Sequence, residues 1–209
     1  MPDSQTKYPT ILASLAGGGV EWNLSAGQGA LTDSDNVYAS VLLNPYDGDA
    51  NSSQMLLATG YGFTIPAGKV INGIAAGIER HDEQTIGNTS EPHVESIVVV
   101  LYLAGVPIDG GENKALIGAN WPSSDVVATY GDAADKWNVV PTITQLNSST
   151  FGLGLQVHAD LVGVDEGDTV SGLVDQIPIT IYYSDPGDTT TPGRLCRTRR
   201  GLRGHRYIR

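Results

Sequence analysis

From Phe151 to Leu161 every second residue is apolar: Phe151, Leu153, Leu155, Val157, Ala159 and Leu161 share one face, while Gly152, Gly154, Gln156, His158 and Asp160 share the other. A period of two belongs to an extended strand with one face in a core and one toward solvent. Shorter apolar runs recur at Val37 to Leu43, Gln54 to Phe63, Val70 to Glu79, Ile97 to Leu103, Val126 to Tyr130 and Gln176 to Tyr183, punctuated by Gly, Asn, Asp and Pro. No window of about 11 residues carries a helical period. The expected fold is all-β: a single antiparallel β-sandwich of jelly-roll or Greek-key type with extended N- and C-terminal arms. A turn of helix near Thr142 to Asn147 is the one exception allowed.

Within the last run, Ile177, Ile179, Ile181 and Tyr183 are expected inward, and Pro178, which lacks a ladder donor, calls for an edge or a bulge. After a turn at Pro66 and Gly68, Val70, Ile74, Ala76 and Ile78 are expected on one side. Ile97 to Leu103 is apolar on both faces, which suits a central strand or one covered by a tail or a neighbouring subunit. Gly152 with Gly154, and Gly73 with Gly77, leave flat ground for another backbone or allow the strand to bend. Long polar loops are read at Asn44 to Ser53, His81 to His93, Asp109 to Lys114 and Val164 to Gly172. The chain divides into an N-terminal arm (1–20), the sandwich (21–184), a turn-rich linker (185–193) and a tail (194–209).

Charge separates that tail from the rest. All 23 acidic residues precede Pro192, and the five basic residues among them leave that segment at −18; Arg194 to Arg209 carries seven arginines and no acid, so +7. An acidic body repels nucleic acid and anionic lipid, because phosphate contacts need the Lys and Arg it lacks. No apolar run approaches the roughly 20 residues of a membrane helix, and Met1 to Lys7 lacks the pattern of a secretory signal. In the tail, Arg194, Arg197, Arg199, Arg200, Arg203, Arg206, Tyr207 and Arg209 combine bidentate cations with apolar anchors, and are expected to clamp an acidic protein neighbour. A disordered solvated tail and a nucleic-acid contact are the competing readings.

Chemistry finds little purchase. The histidines His81, His93, His158 and His205 are scattered, Cys196 stands alone, and no nucleophile elbow, zinc spacing or phosphate loop occurs. The chain is expected to be non-enzymatic, with no cofactor and no resident metal. Asp33 with Asp35, Asp47 with Asp49, and Asp165, Glu166 and Asp168 offer oxygen ligands at short spacing, yet none completes a calcium loop. Trp121 and Trp137 are read as core anchors closing one end of the sandwich, with an aromatic platform for sugar near Trp121 or Tyr130 as the alternative. Four Asn-x-Ser/Thr triplets, at Asn23, Asn51, Asn88 and Asn147, are given no function.

An ordered series of short motifs remains: Phe63-Thr-Ile-Pro-Ala-Gly68, Ile71-Asn-Gly-Ile74, Ile78-Glu-Arg80, Trp121-Pro-Ser-Ser-Asp125, Tyr130-Gly131, Asp135-Lys-Trp137, Asn147-Ser-Ser-Thr-Phe-Gly152 and Ile179-Thr-Ile-Tyr-Tyr183. From about Trp22 to Tyr183 this series resembles the β-sandwich domains of bacteriophage structural proteins, which have relatives in bacterial surface proteins. The resemblance implies a jelly-roll-like domain used in head decoration, head fibres or tail-associated parts, and carries no catalytic residues. Expected partners are the major capsid protein or other virion proteins and further copies of the chain as a trimer or dimer, with a host glycan as the alternative ligand. The expected location is the virion.

Overall fold

The computed structural model describes residues 3–25, 34–46, 51–85, 92–160 and 167–188. Among them, two antiparallel sheets pack face to face over a single core, as the alternation requires. The spine of the first sheet is β5 (Val70–Thr85). Along one side it pairs with β8 (Val126–Asp132), and along the other with β10 (Thr169–Gln176) and β11 (Ile179–Ser184) in succession. The break between β10 and β11 is Pro178: Gly77 N–H donates to its carbonyl at 2.9 Å, and a Cβ on Gly77 would lie 3.2 Å from its ring. Gly77 therefore makes room for a proline of the same chain. Beyond β11 lies β1 (Asp3–Lys7) and beyond β10 lies β3 (Ala39–Leu43), whose outer edge Asn23 closes with two backbone bonds to Ser40.

The second sheet runs β2 (Ile11–Leu15), β4 (Met55–Thr59), β9 (Phe151–Ala159), β6 (Val94–Leu103), β7 (Val106–Pro107). The free edge of β6 is blunted by Asn113, which accepts from Val99 N–H and donates to Ile97 carbonyl, both at 2.8 Å. Helix α1 (Ile143–Leu146) is a single turn held by a capping box between Thr142 and Gln145. Between the sheets, Phe151, Leu153, Leu155, Val157 and Ala159 of β9 face Ile74, Ala76 and Ile78 of β5, with Ile177, Ile179, Ile181 and Tyr183 buried as the alternation implied.

Several details differ from the sequence reading: β10 begins at Thr169, inside the loop read from Val164 to Gly172, and β4 ends at Thr59, short of Phe63. The segment read as an N-terminal arm contributes two paired strands, β1 and β2. The stretch read as a loop from His81 continues β5 to Thr85, because β10 gives it a partner. Val70 is 43% exposed and Ile71 is buried instead, since a bulge opposite Tyr182 and Tyr183 shifts the alternation by one residue. Trp121 and Trp137 are both buried, but at opposite ends: Trp121 N–H bonds Val94 at the start of β6, while the indole of Trp137 donates to Ile74 carbonyl at 2.9 Å, near the other end.

The motifs that are separate in sequence meet in space as three clasps. Arg80 donates to Ser96 Oγ and, at 2.7 Å, to Tyr130 Oη, and its guanidinium lies 4.9 Å from the Trp121 ring, which itself donates to Ser96. Ile74 N–H donates to Asp135 carbonyl, Trp137 returns to Ile74, and Gly131, at φ +70°, lies so close that a Cβ would stand 2.6 Å from the Trp137 indole nitrogen. Asn147 binds both the N–H and the carbonyl of Ile65 at 2.9 Å. The first two clasps fix loops to strands and the third fixes the loop at Ile65 to the end of α1, so the motif series is a record of the scaffold.

Candidate functional site

The outer face of the second sheet is the least ordinary surface of the molecule. Register places Ile11, Ala13 and Leu15 of β2 opposite Thr59, Leu57 and Met55 of β4. Next come Gly152 and Gly154 of β9, then Tyr102 and Val100 of β6, with Gln156 opposite Val98. Across these four strands no charged side chain stands on this face until its upper rim, where Glu95 pairs with His158 at 3.3 Å and accepts from Gly118 N–H. On a body of −18 such a face is an anomaly, since solvent-facing sheet surfaces are normally polar.

Glycine shapes it. A Cβ on Gly154 would lie 2.4 Å from the Tyr102 ring and 3.0 Å from Met55 Sδ, so both side chains lie down over the glycine. Tyr102 is thereby only 5% exposed and Leu57 7%, although both point away from the core, and burial pushes the Tyr102 phenol up. Ile11, at the edge, is 46% exposed. The result is an apolar face whose central residues, Leu57, Thr59, Tyr102, Gly152 and Gly154, are already buried within the single chain.

The outer face of the first sheet has the opposite character. His81 Nδ1 meets Asp125 Oδ1 at 2.6 Å, Tyr38 donates to Asp125 Oδ2 at 2.8 Å, and the two rings meet edge-on at 5.0 Å. Burial, then Asp125, pushes the Tyr38 phenol up. Nearby, Asp175 Oδ2 accepts from Asn36 N–H, whereas Oδ1 is buried without a hydrogen-bond partner. Burial, with Glu79 and Asp35 adding to it, raises its carboxyl above the usual range. At the upper rim Asp82 Oδ2 accepts from Val94 N–H and pairs with His93 at 3.1 Å. Asp82 and Asp175 are buried and Asp125 is engaged by His81 and Tyr38; among the described residues, no three His, Cys, Asp or Glu are grouped to hold a metal.

At the lower end two grooves of about 540 and 510 Å³ flank a ridge of Val140 and Pro141. Neither brings together a nucleophile, a base and an oxyanion donor. The clamp residues Arg194, Arg197, Arg199, Arg200, Arg203, Arg206, Tyr207 and Arg209 lie outside the described residues, as do Asp33, Asp47, Asp49, Asp165, Glu166, Asn88 and His205. Trp121 and Tyr130 are buried and offer no platform to a sugar. The apolar platform itself was half visible in sequence, in the two-sided apolarity of β6 and the paired glycines of β9. What joined them to β2 and β4 was register, which no local signal encodes.

No family model and no curated protein matches the sequence. Among solved structures, it is similar to a chain in a structure of infectious bursal disease virus, Gt strain, at a TM-score of 0.32 and 10% identity. The alignment covers 88% of this chain and 38% of that one, so this chain spans well under half the length of that protein. A likeness so distant carries no argument about function.

Proposed function

We propose that this chain is a non-enzymatic structural subunit of a bacteriophage virion, most simply a capsid decoration (cement) or head-fibre protein. The observation that carries the reading is the division of surfaces: an acidic body, one sheet face kept free of charge, and a sequence-distinct tail of seven arginines. A catalyst concentrates convergent polar groups in a cleft; this fold instead spends its polar side chains on internal clasps and keeps one sheet face free of charge. The motif series from Phe63 to Tyr183, which resembles phage β-sandwich domains, supports the same role. The tail is the attachment device, its guanidinium groups pairing with carboxylates of the shell protein. The alternative, a tail-associated or surface carbohydrate-binding module, leaned on Trp121 or Tyr130, whose burial removes its main support.

The test is co-sedimentation of the full chain with shells of the parent phage that lack it. Replacing Arg197, Arg199, Arg200 and Arg203 by Gln is expected to weaken binding at least tenfold, with the melting temperature unchanged. Undiminished binding by that variant contradicts the tail's role, and no binding by the wild-type chain contradicts the decoration role.

A further inference from the structure

We infer that the lower-end groove beside Lys69 seats a carboxylate-bearing, aliphatic segment of the shell protein that the tail binds; the inference deepens the attachment role proposed above and rests on it. The exit of the tail points to this end of the sandwich. Ser184 closes β11 opposite Val70, Lys69 Nζ lies 3.0 Å from Asp185 Oδ1, and Asp188 N–H donates to Asp185 carbonyl. The chain therefore leaves the body next to the groove of about 540 Å³, which Lys69, Val70, Ile71, Lys136, Val140 and Ile143 line. From Asp188 to Arg194, the first cation of the tail, six residues reach at most about 20 Å. A partner gripped at the first arginines is thus held close to this groove.

The groove's own chemistry selects the occupant. Val140 is 73% exposed and Val70 43%, so these apolar side chains are not already covered by the chain itself. Lys69 is matched by Asp3 and Asp185, and Lys114 by Glu112 and Asp135, whereas the Lys136 ammonium meets no carboxylate or other acceptor among the described residues. On a body of −18, an ammonium left free at a groove suits a carboxylate from another molecule. Walls of valine, isoleucine and proline suit aliphatic groups beside that carboxylate; the oxygens of a sugar or a phosphate would be left unpaired against them. The arginine tail itself has the same sign as Lys136 and is the wrong occupant. One ion pair and one valine make a weak contact alone. Once the tail holds the shell, however, that contact is intramolecular, at an effective concentration in the millimolar range for a short flexible linker. The tail tethers, and the groove turns this end of the sandwich toward the shell.

Binding of the full chain, tail intact, to shells that lack it tests this. Lys136→Glu is expected to weaken binding about fivefold and Val140→Asp about tenfold, both with the circular dichroism and melting temperature of the parent. Lys7→Glu, the same charge change at the far end of β1 opposite Ile179, should bind as the parent does. When lysine amines are acetylated and read by mass spectrometry, Lys136 should be protected on shells and Lys7 should not. Parent-like binding by both folded groove variants, equal losses in Lys7→Glu and Lys136→Glu, or unchanged reactivity of Lys136 overturns the inference. Self-association of the free chain that Lys136→Glu abolishes would assign the groove to a second copy and overturn it too. A parent chain that binds no shells refutes the attachment role as well, whereas loss of binding on tail neutralisation with none in the groove variants refutes the groove alone.

Discussion

Arg80 shows what a single residue contributes when a charge is drawn into the core. It lies on the inward face of β5, yet its guanidinium finds two hydroxyl acceptors and two aromatic faces, at 4.9 and 5.8 Å, in place of a carboxylate. Burial works against the charged form, and Tyr130 supports it. A planar, stacked cation is not replaceable by an ammonium. Arg80→Lys is expected to cost on the order of 2 kcal/mol, read as a lower urea midpoint with an unchanged slope. Asp175 makes the complementary case. Its carboxyl is raised in the folded chain, so its contribution to stability is full below its unfolded value near 3.8 and is lost as pH rises through the folded one. Asp175→Asn should therefore melt higher than the parent at pH 7, by about 2–4 °C for each kcal/mol relieved, with the gap closing as the pH falls toward about 4. An equal gap at both pH values would assign the effect to something other than ionisation.

At the scale of elements, the outer sheet face depends on Gly154. Alanine there would restrict the unfolded chain, worth about 0.4–1 kcal/mol in favour of folding, but its Cβ would meet the Tyr102 ring at 2.4 Å. The clash wins: Gly154→Ala is expected to destabilise by about 1–3 kcal/mol, measurable in the same urea titration, and to lift Tyr102 into solvent. The strands β9 and β5 were legible because their alternation is set by a buried face, and β6 because it is a continuous apolar run. Other elements were not. Asp3-Ser-Gln-Thr-Lys7 has no apolar face at all and is a strand only because β11 offers it a ladder. Thr169 to Gly172 read as loop because Thr, Ser and Gly give it little apolar signal, and it is a strand because β5 and β3 flank it with ladders on both sides. The platform was legible only in pieces: the glycines and the apolar β6 were conspicuous, whereas the contribution of Ile11, Ala13 and Leu57 depends on which strands become neighbours.

For the whole molecule, the governing quantity is the distribution of charge. Two sheets share one apolar core, but their outer faces differ: the first carries Glu79, Glu83, Asp125 and Asp175, and the second is uncharged between its rims. A tail of +7 is opposite in sign to an acidic protein surface. Tail binding to shells should accordingly weaken with salt. The most direct test of the central claim, that this chain is built to be a part of a particle, is quantitative mass spectrometry of gradient-purified virions from the host that carries the gene. The account predicts the chain in the particle peak at a fixed ratio to the major shell protein that survives repeated banding. A chain abundant in the lysate but absent from banded particles would contradict it.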